Sequence, residues 1–249
     1  MNREEFDLMK KEFGDFIYRY EWFLKNGFLA DLKYNTYFYD YLKEVAQIHA
    51  ETQLIANCLS IPAIKVKDEI EKYKKEIEVQ IKREEDKHEY AKLIIGNYDK
   101  ETDERKKEME KVFHDFALNY HPIVTINRNA EMKDIFQTLR KLYNENNLDA
   151  FKLLLEESKK GFEAPFIEEK DFNDVQRAYM QMKNNLAQTM NNLVRKYPYA
   201  KTDVFKDNDE MRIKAEEGEL IAAKSKELKA NKDAREKYKE VFNKEFSLD

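Results

Sequence analysis

The sequence is short of cysteine, glycine and proline: one, five and four respectively in 249 residues. A lone cysteine, Cys58, excludes an internal disulfide and a zinc site built from several thiolates. So few breakers exclude a sheet-rich fold with many tight turns and favour long helices. Charge of one sign is missing too. Against 45 basic residues stand 50 acidic ones, a net charge of −5, which gives the whole chain no electrostatic basis for non-specific binding to nucleic acid. There is no long hydrophobic run. The longest uncharged stretch, Thr52 to Ile64, contains Pro62 and is too short to cross a bilayer. The opening Met-Asn-Arg-Glu-Glu-Phe lacks the apolar core of a secretory signal. A cytoplasmic protein with no membrane span is the expectation. In abundance are aromatics, 16 Phe and 15 Tyr, which exclude a wholly disordered chain even at 38% charged residues. The expected fold class is all-α.

Several segments carry helical spacing. The first runs from about Arg3 to Asn26, with Phe6, Phe13, Phe16, Ile17, Tyr20 and Phe23 on its apolar side, and Gly27 reads as its C-terminal stop. The second runs from about Leu29 to Leu59 and starts with Tyr34, Tyr37, Phe38 and Tyr41. With so short a break between them, an antiparallel hairpin is the simplest arrangement. Ser60-Ile61-Pro62 reads as the capped start of a third helix, ending at Gly96 to Asp99. Its stretch Lys82 to Glu89 is charged on every face and is expected to project into solvent as an arm. Towards the C-terminus, Phe172, Val175, Tyr179, Met182, Leu186, Thr189 and Leu193 form a seven-residue repeat capped by Asp171 and stopped by Pro198. A mostly charged last helix, from about Asn208 to Phe246, is expected to be interrupted at Gly218.

Residues 102 to 155 differ in kind. Thr102 followed by two acids looks like a capped helix start. Met109, Phe113, Phe116 and Tyr120 then follow at spacings of four, three and four, up to the stop at His121-Pro122. After a loop, Ile123 to Asn129, the residues Met132, Phe136, Leu139 and Tyr143 repeat that spacing. The two stripes are predicted to face each other across an antiparallel pair. A third short helix begins at about Asn147, with Leu148, Phe151 and Leu155.

The run Val112-Phe-His-Asp-Phe-Ala-Leu-Asn-Tyr-His-Pro122 resembles the second helix and loop of a J-domain, a co-chaperone module. Its usual sequence there is Ala-Tyr-Arg-Lys-Leu-Ala-Leu-Lys-Tyr-His-Pro-Asp. Phe113, Phe116, Ala117, Leu118, Tyr120, His121 and Pro122 match in type and order. The stretch Ala130 to Tyr143 is similar to the family's third helix. Its continuation towards Leu155 resembles a low-GC bacterial group in which a J-like module accompanies a long helical region. The likeness covers about a fifth of the chain. It implies a protein partner, a heat-shock ATPase chaperone, contacted through Lys111, His114, His121, Pro122 and the residue after Pro122. In working J-domains that residue is an aspartate that engages an arginine of the chaperone; here it is Ile123, which can neither accept a hydrogen bond nor pair with a cation. Typically basic positions of the second helix fall on Glu110, Lys111, His114, Asp115 and Asn119. One lysine against two acids loses the electrostatic steering such a face provides.

Sharper chemistry finds little support. Glu85-Asp-Lys-His88 has the Glu-x-x-His spacing of di-iron bundles, but such sites need two copies and two further glutamates. His49 and Glu51 do not share a helix face, nor do His114 and Asp115. Cys58 has no basic neighbour and reads as a small buried apolar residue. For His121, capping the last carbonyls of its helix is the alternative to a surface role. The heptad from Phe172 is expected to pack internally rather than to form a dimer seam. No phosphate loop, nucleophile elbow or His-Glu-x-x-His motif occurs. The expectation is therefore a protein that is not an enzyme, with no cofactor, no metal and no catalytic residue. It has three parts: an N-terminal hairpin and projecting helix (1–98), a degenerate J-like domain (99–158) and a C-terminal helical segment (159–249). The role implied is an adaptor or structural interaction protein. The alternatives are a residual co-chaperone that binds its ATPase without stimulating it and, in another class, a helical-bundle enzyme with a carboxylate metal site.

Overall fold

A computed structural model describes residues 1–126 and 129–248, the side chains of 207 and 208 excepted. The described residues form helices joined by short turns and no strand, the all-α class. The helices are α1 (Arg3–Ser60), α2 (Val66–Lys100), α3 (Asp103–Asn119), α4 (Pro122–Thr125), α5 (Ala130–Asn144), α6 (Leu148–Ser158), α7 (Phe172–Leu193) and α8 (Glu210–Phe242). Packing groups the chain differently from the segments 1–98, 99–158 and 159–249. One compact unit takes Met1–Asp31 with Ile94–Thr202; the other takes Leu32–Leu93 and Asp203 onward.

The first correction is α1. No hairpin forms at Gly27, because the helix runs unbroken to Ser60. A C-terminal glycine stop requires a left-handed residue, and no glycine has positive φ. Gly27 instead serves close approach: a β-carbon there would stand 2.2 Å from Tyr199 Cε1, and the Tyr199 ring stacks on Phe23 at 4.7 Å. Ser60 likewise ends α1, its hydroxyl donating to the Asn57 carbonyl, rather than capping α2. Gly96 and Gly218 lie inside α2 and α8. Asp171 precedes α7 but makes no capping hydrogen bond, whereas Asp209 caps α8 by accepting from Met211 N at 3.0 Å.

In the first unit, α3 begins as the sequence indicates, with Thr102 Oγ1 accepting from Arg105 N at 3.3 Å. Phe113 stacks on Tyr143 at 3.7 Å and Phe116 on Phe136 at 6.2 Å. The pairing descends α5 as it ascends α3, so the two helices are antiparallel. With Met109, Met132, Leu139, Leu148, Phe151 and Phe162 they close one core, each large side chain contributing about 1.5–3 kcal/mol by burial. The first turns of α1 join through α7: Phe6 stacks on Phe172 at 4.1 Å and Phe13 on Tyr179 at 4.2 Å. The first half of the heptad therefore packs internally. Of the expected loop Ile123 to Asn129, residues 123–125 belong to α4, and residues 127 and 128 lie outside the described residues.

In the second unit, the latter part of α1 pairs with α8. Tyr34 donates to Glu216 at 2.7 Å, Lys224 pairs with Glu44, and Asn231 bonds Thr52 at 3.1 Å. Partners rise together along both helices, so this pair is parallel. α2 runs antiparallel to α1: Lys43 meets Glu85 at 3.1 Å, and the His88 ring stacks on Tyr39 at 3.8 Å with Nδ1 on the Asn35 carbonyl. The expected arm is thus not wholly solvated, since His88 is buried. Apolar cores close the two ends of the unit. Tyr34 and Phe38 meet Phe205 in one, and Leu54, Ile55 and Cys58 meet Tyr238 and Phe246 in the other.

Candidate functional site

The five residues expected to face a partner lie on α3, on α4 and, for His121, at the joint between them, in the first unit. α3 stops where Pro122 denies its predecessor a helical conformation. The Tyr120 and His121 amides both close on the Phe116 carbonyl, at 2.8 and 3.0 Å. Pro122 then opens α4, a position where its missing N–H costs nothing. His121 is the N-cap of α4: its Nδ1 accepts the Ile123 N–H at 3.2 Å. The expected cap on the last carbonyls of α3 is therefore corrected, because the ring acts as an acceptor for the following turn. It is 0% exposed and sits edge-on against Phe136 at 4.5 Å. Nε2 stands 3.7 Å from Glu21 Oε1, while Glu21 Oε2 takes the Arg140 Nε hydrogen at 2.6 Å. Burial holds the imidazole below its ordinary range; Glu21 opposes that shift and Arg140 adds to it.

Around this turn, the chain's own helices take up most of the face. Ile123 and Ile126 pack on the cluster of Phe13, Ile17, Val124 and Tyr179, and the Tyr179 hydroxyl donates to the Val124 carbonyl. His114 is half-buried, with Nε2 2.7 Å from Asp15 Oδ1 and its ring 4.6 Å from Tyr18. A β-carbon at Gly14 would lie 2.9 Å from Leu118 Cδ2, so α1 and α3 touch closely there. Lys111 is exposed, with Asp115 and Asn119 beside it, and Pro122 is half-buried. His121 contributes no surface at all.

A charged network behind this face was missed by the sequence reading. Lys25 and Glu21 are 2% and 3% exposed. Lys25 Nζ lies 2.7 Å from Glu110 Oε1, 3.4 Å from Asn146 Oδ1 and 4.1 Å from the Tyr143 ring centre. Tyr18 and Tyr143 both donate to Glu110 Oε2, at 3.1 and 2.7 Å. Burial lowers the Lys25 ammonium, against the pull of Glu110. Burial, reinforced by Glu110, pushes the Tyr18 phenol up to about 12 and raises that of Tyr143 further. The signal was present in the sequence: Glu21 and Lys25 continue the phase of Phe13 and Ile17, so two charges sit on the buried stripe of α1. Its carboxylates are engaged by partners from the same chain.

Other candidates are also engaged within the fold. Cys58 lies in the core of the second unit, where burial raises its thiol pKa. Glu85 pairs with Lys43, and His88 bonds the Asn35 carbonyl. Among the described residues, no group of three or more His, Cys, Asp or Glu could hold a metal ion, and no helix is long and apolar enough to cross a membrane. Comparison of the chain with protein families, with curated proteins and with solved structures finds no match.

Proposed function

We propose that the chain is a non-enzymatic adaptor or structural interaction protein in which a J-like hairpin serves as a packing unit and does not stimulate a chaperone ATPase. The observation that carries this reading is the position of the His-Pro turn. His121 is enclosed, and Ile123 packs beside Phe13, Ile17 and Tyr179. A residue buried in its own chain's core is unavailable to a partner, and the isoleucine has no polar atom to offer one. The network around Glu110 points the same way, since Lys25, Tyr18 and Tyr143 are committed to it internally. The test is turnover of a bacterial heat-shock ATPase chaperone with and without the protein. Unchanged turnover is expected, and clear stimulation overturns the reading.

One observation favours residual chaperone binding. Lys111 stays exposed on the outer side of α3, where a basic side chain would meet an acidic partner surface. Ile123→Asp distinguishes the two. If binding survives, restoring the acid gives measurable stimulation; under the packing-unit reading it places a carboxylate among apolar side chains and lowers stability without stimulating turnover.

A further inference from the structure

The joint between α3 and α4 depends on one imidazole. A ring nitrogen accepts a hydrogen bond only while it carries no proton, so the bond from Ile123 N to His121 Nδ1 requires the neutral ring with its hydrogen on Nε2. The Val124 and Thr125 amides close on the His121 carbonyl, both at 2.9 Å, and the Thr125 hydroxyl joins them at 3.2 Å. Four hydrogen bonds of α4 therefore end on this residue, one of them on its ring. The Ile126 amide closes on the Pro122 carbonyl, and the Tyr179 hydroxyl donates to that of Val124. The surroundings of the ring are set by three helices. From α1 comes Glu21, 3.7 Å away; from α5 come Arg140, through Glu21, and the uncharged Phe136 ring; from α3 comes only the Phe116 ring. A proton on Nδ1 would turn two N–H groups towards each other and place a cation in a site with no solvent contact. Glu21 favours that cation, but its second oxygen already holds Arg140, and burial prevails.

We infer that His121 is an acid-sensitive latch: a proton on its ring releases α4 from the end of α3 while the flanking core stays packed. Release frees Ile123 and Val124 and uncovers their contacts on Phe13, Ile17 and Tyr179. The device works in the plain chain and does not depend on the function proposed above.

Hydrogen exchange on the intact protein tests it, with rates corrected for intrinsic chemistry and read at the Ile123, Val124 and Thr125 amides. An imidazole opened to water titrates near about 6.5. Opening of these amides should therefore rise about tenfold between about pH 7.5 and about pH 5.5, while the Phe113 and Phe116 amides stay protected. His121→Asn keeps a side-chain acceptor for the cap but takes no proton, so its exchange should not respond to pH. A flat wild-type profile, the same acid response in the Asn variant, or equal acceleration at Phe113 and Phe116 each overturns the latch. Should the Asn variant not fold, the His121 ring resonances decide in the wild type. Ring protonation coinciding with loss of Ile123 protection supports the latch, and protonation with protection intact rejects it.

Discussion

Glu110 is the point on which three helices converge. It stands on α3 and takes Lys25 and Tyr18 from α1 and Tyr143 from α5. Removing one side of a buried ion pair is costlier than removing both, because the remaining charge keeps its desolvation penalty. Glu110→Ala is expected to cost about 3–5 kcal/mol in urea unfolding. Lys25→Met combined with Glu110→Gln removes both charges and keeps an acceptor for the two phenols. That double variant should fall within about 2 kcal/mol of wild type, and a double variant less stable than the single one would contradict this account. Phe113 sets the apolar counterpart. It is fully buried against Tyr143 and Phe151, and its replacement by alanine should lower stability by about 3–5 kcal/mol.

At the scale of elements, the glycines separate local preference from packing. Gly96 and Gly218 lie in helices, and a β-carbon at either would meet nothing within 4 Å. Alanine at each should raise stability by about 0.5–1 kcal/mol. Gly27→Ala brings the same helical gain but drives a methyl into the Tyr199 ring, so a net loss of about 1–3 kcal/mol is expected. Thermal unfolding of the three variants gives the signs directly. The α1–α8 pair also divides along its length. Near Tyr238 it is joined by apolar packing, whereas from Lys224 to Asn231 it is joined by polar contacts such as His49 with Glu227. Few buried apolar contacts mean low local stability. Amides in that middle stretch of α8 should exchange faster than those around Tyr238.

For the molecule as a whole, buried phenols set the alkaline limit. Burial is the leading cause of the raised pKa at Tyr18, Tyr34, Tyr143 and Tyr179; a neighbouring carboxylate reinforces the first three, and Tyr18 and Tyr179 reach about 12. A folded-state pKa above the unfolded value near 10 means that the native chain holds its protons longer. Stability is then full below about pH 10 and falls as pH climbs towards 12 and beyond. The urea midpoint should drop across that interval, and the buried phenols' share of the tyrosinate absorbance should appear only with unfolding. Much of the first unit was legible in sequence. The Thr102 cap, the stop at His121-Pro122 and the facing stripes of α3 and α5 all follow from neighbours within a few residues. The readings that failed needed distant partners. Gly27 reads as a helix stop until Tyr199 is seen lying on it, and Lys82 to Glu89 reads as solvated until His88 is placed on Tyr39. His121 was legible as a cap but not as an acceptor, because the burial that holds its ring neutral is supplied by helices distant in sequence.

The parallel pairing of α1 with α8 joins residues about 180 positions apart, as Lys224 and Glu44 show. Such a pairing forms late, since closing so long a loop delays the contact. During synthesis the tyrosine-rich stretch of α1 precedes its partner and waits with its seam open until α8 follows. A chain lacking α8 would therefore carry a bare, adhesive flank, the one that Glu210–Phe242 covers in the fold.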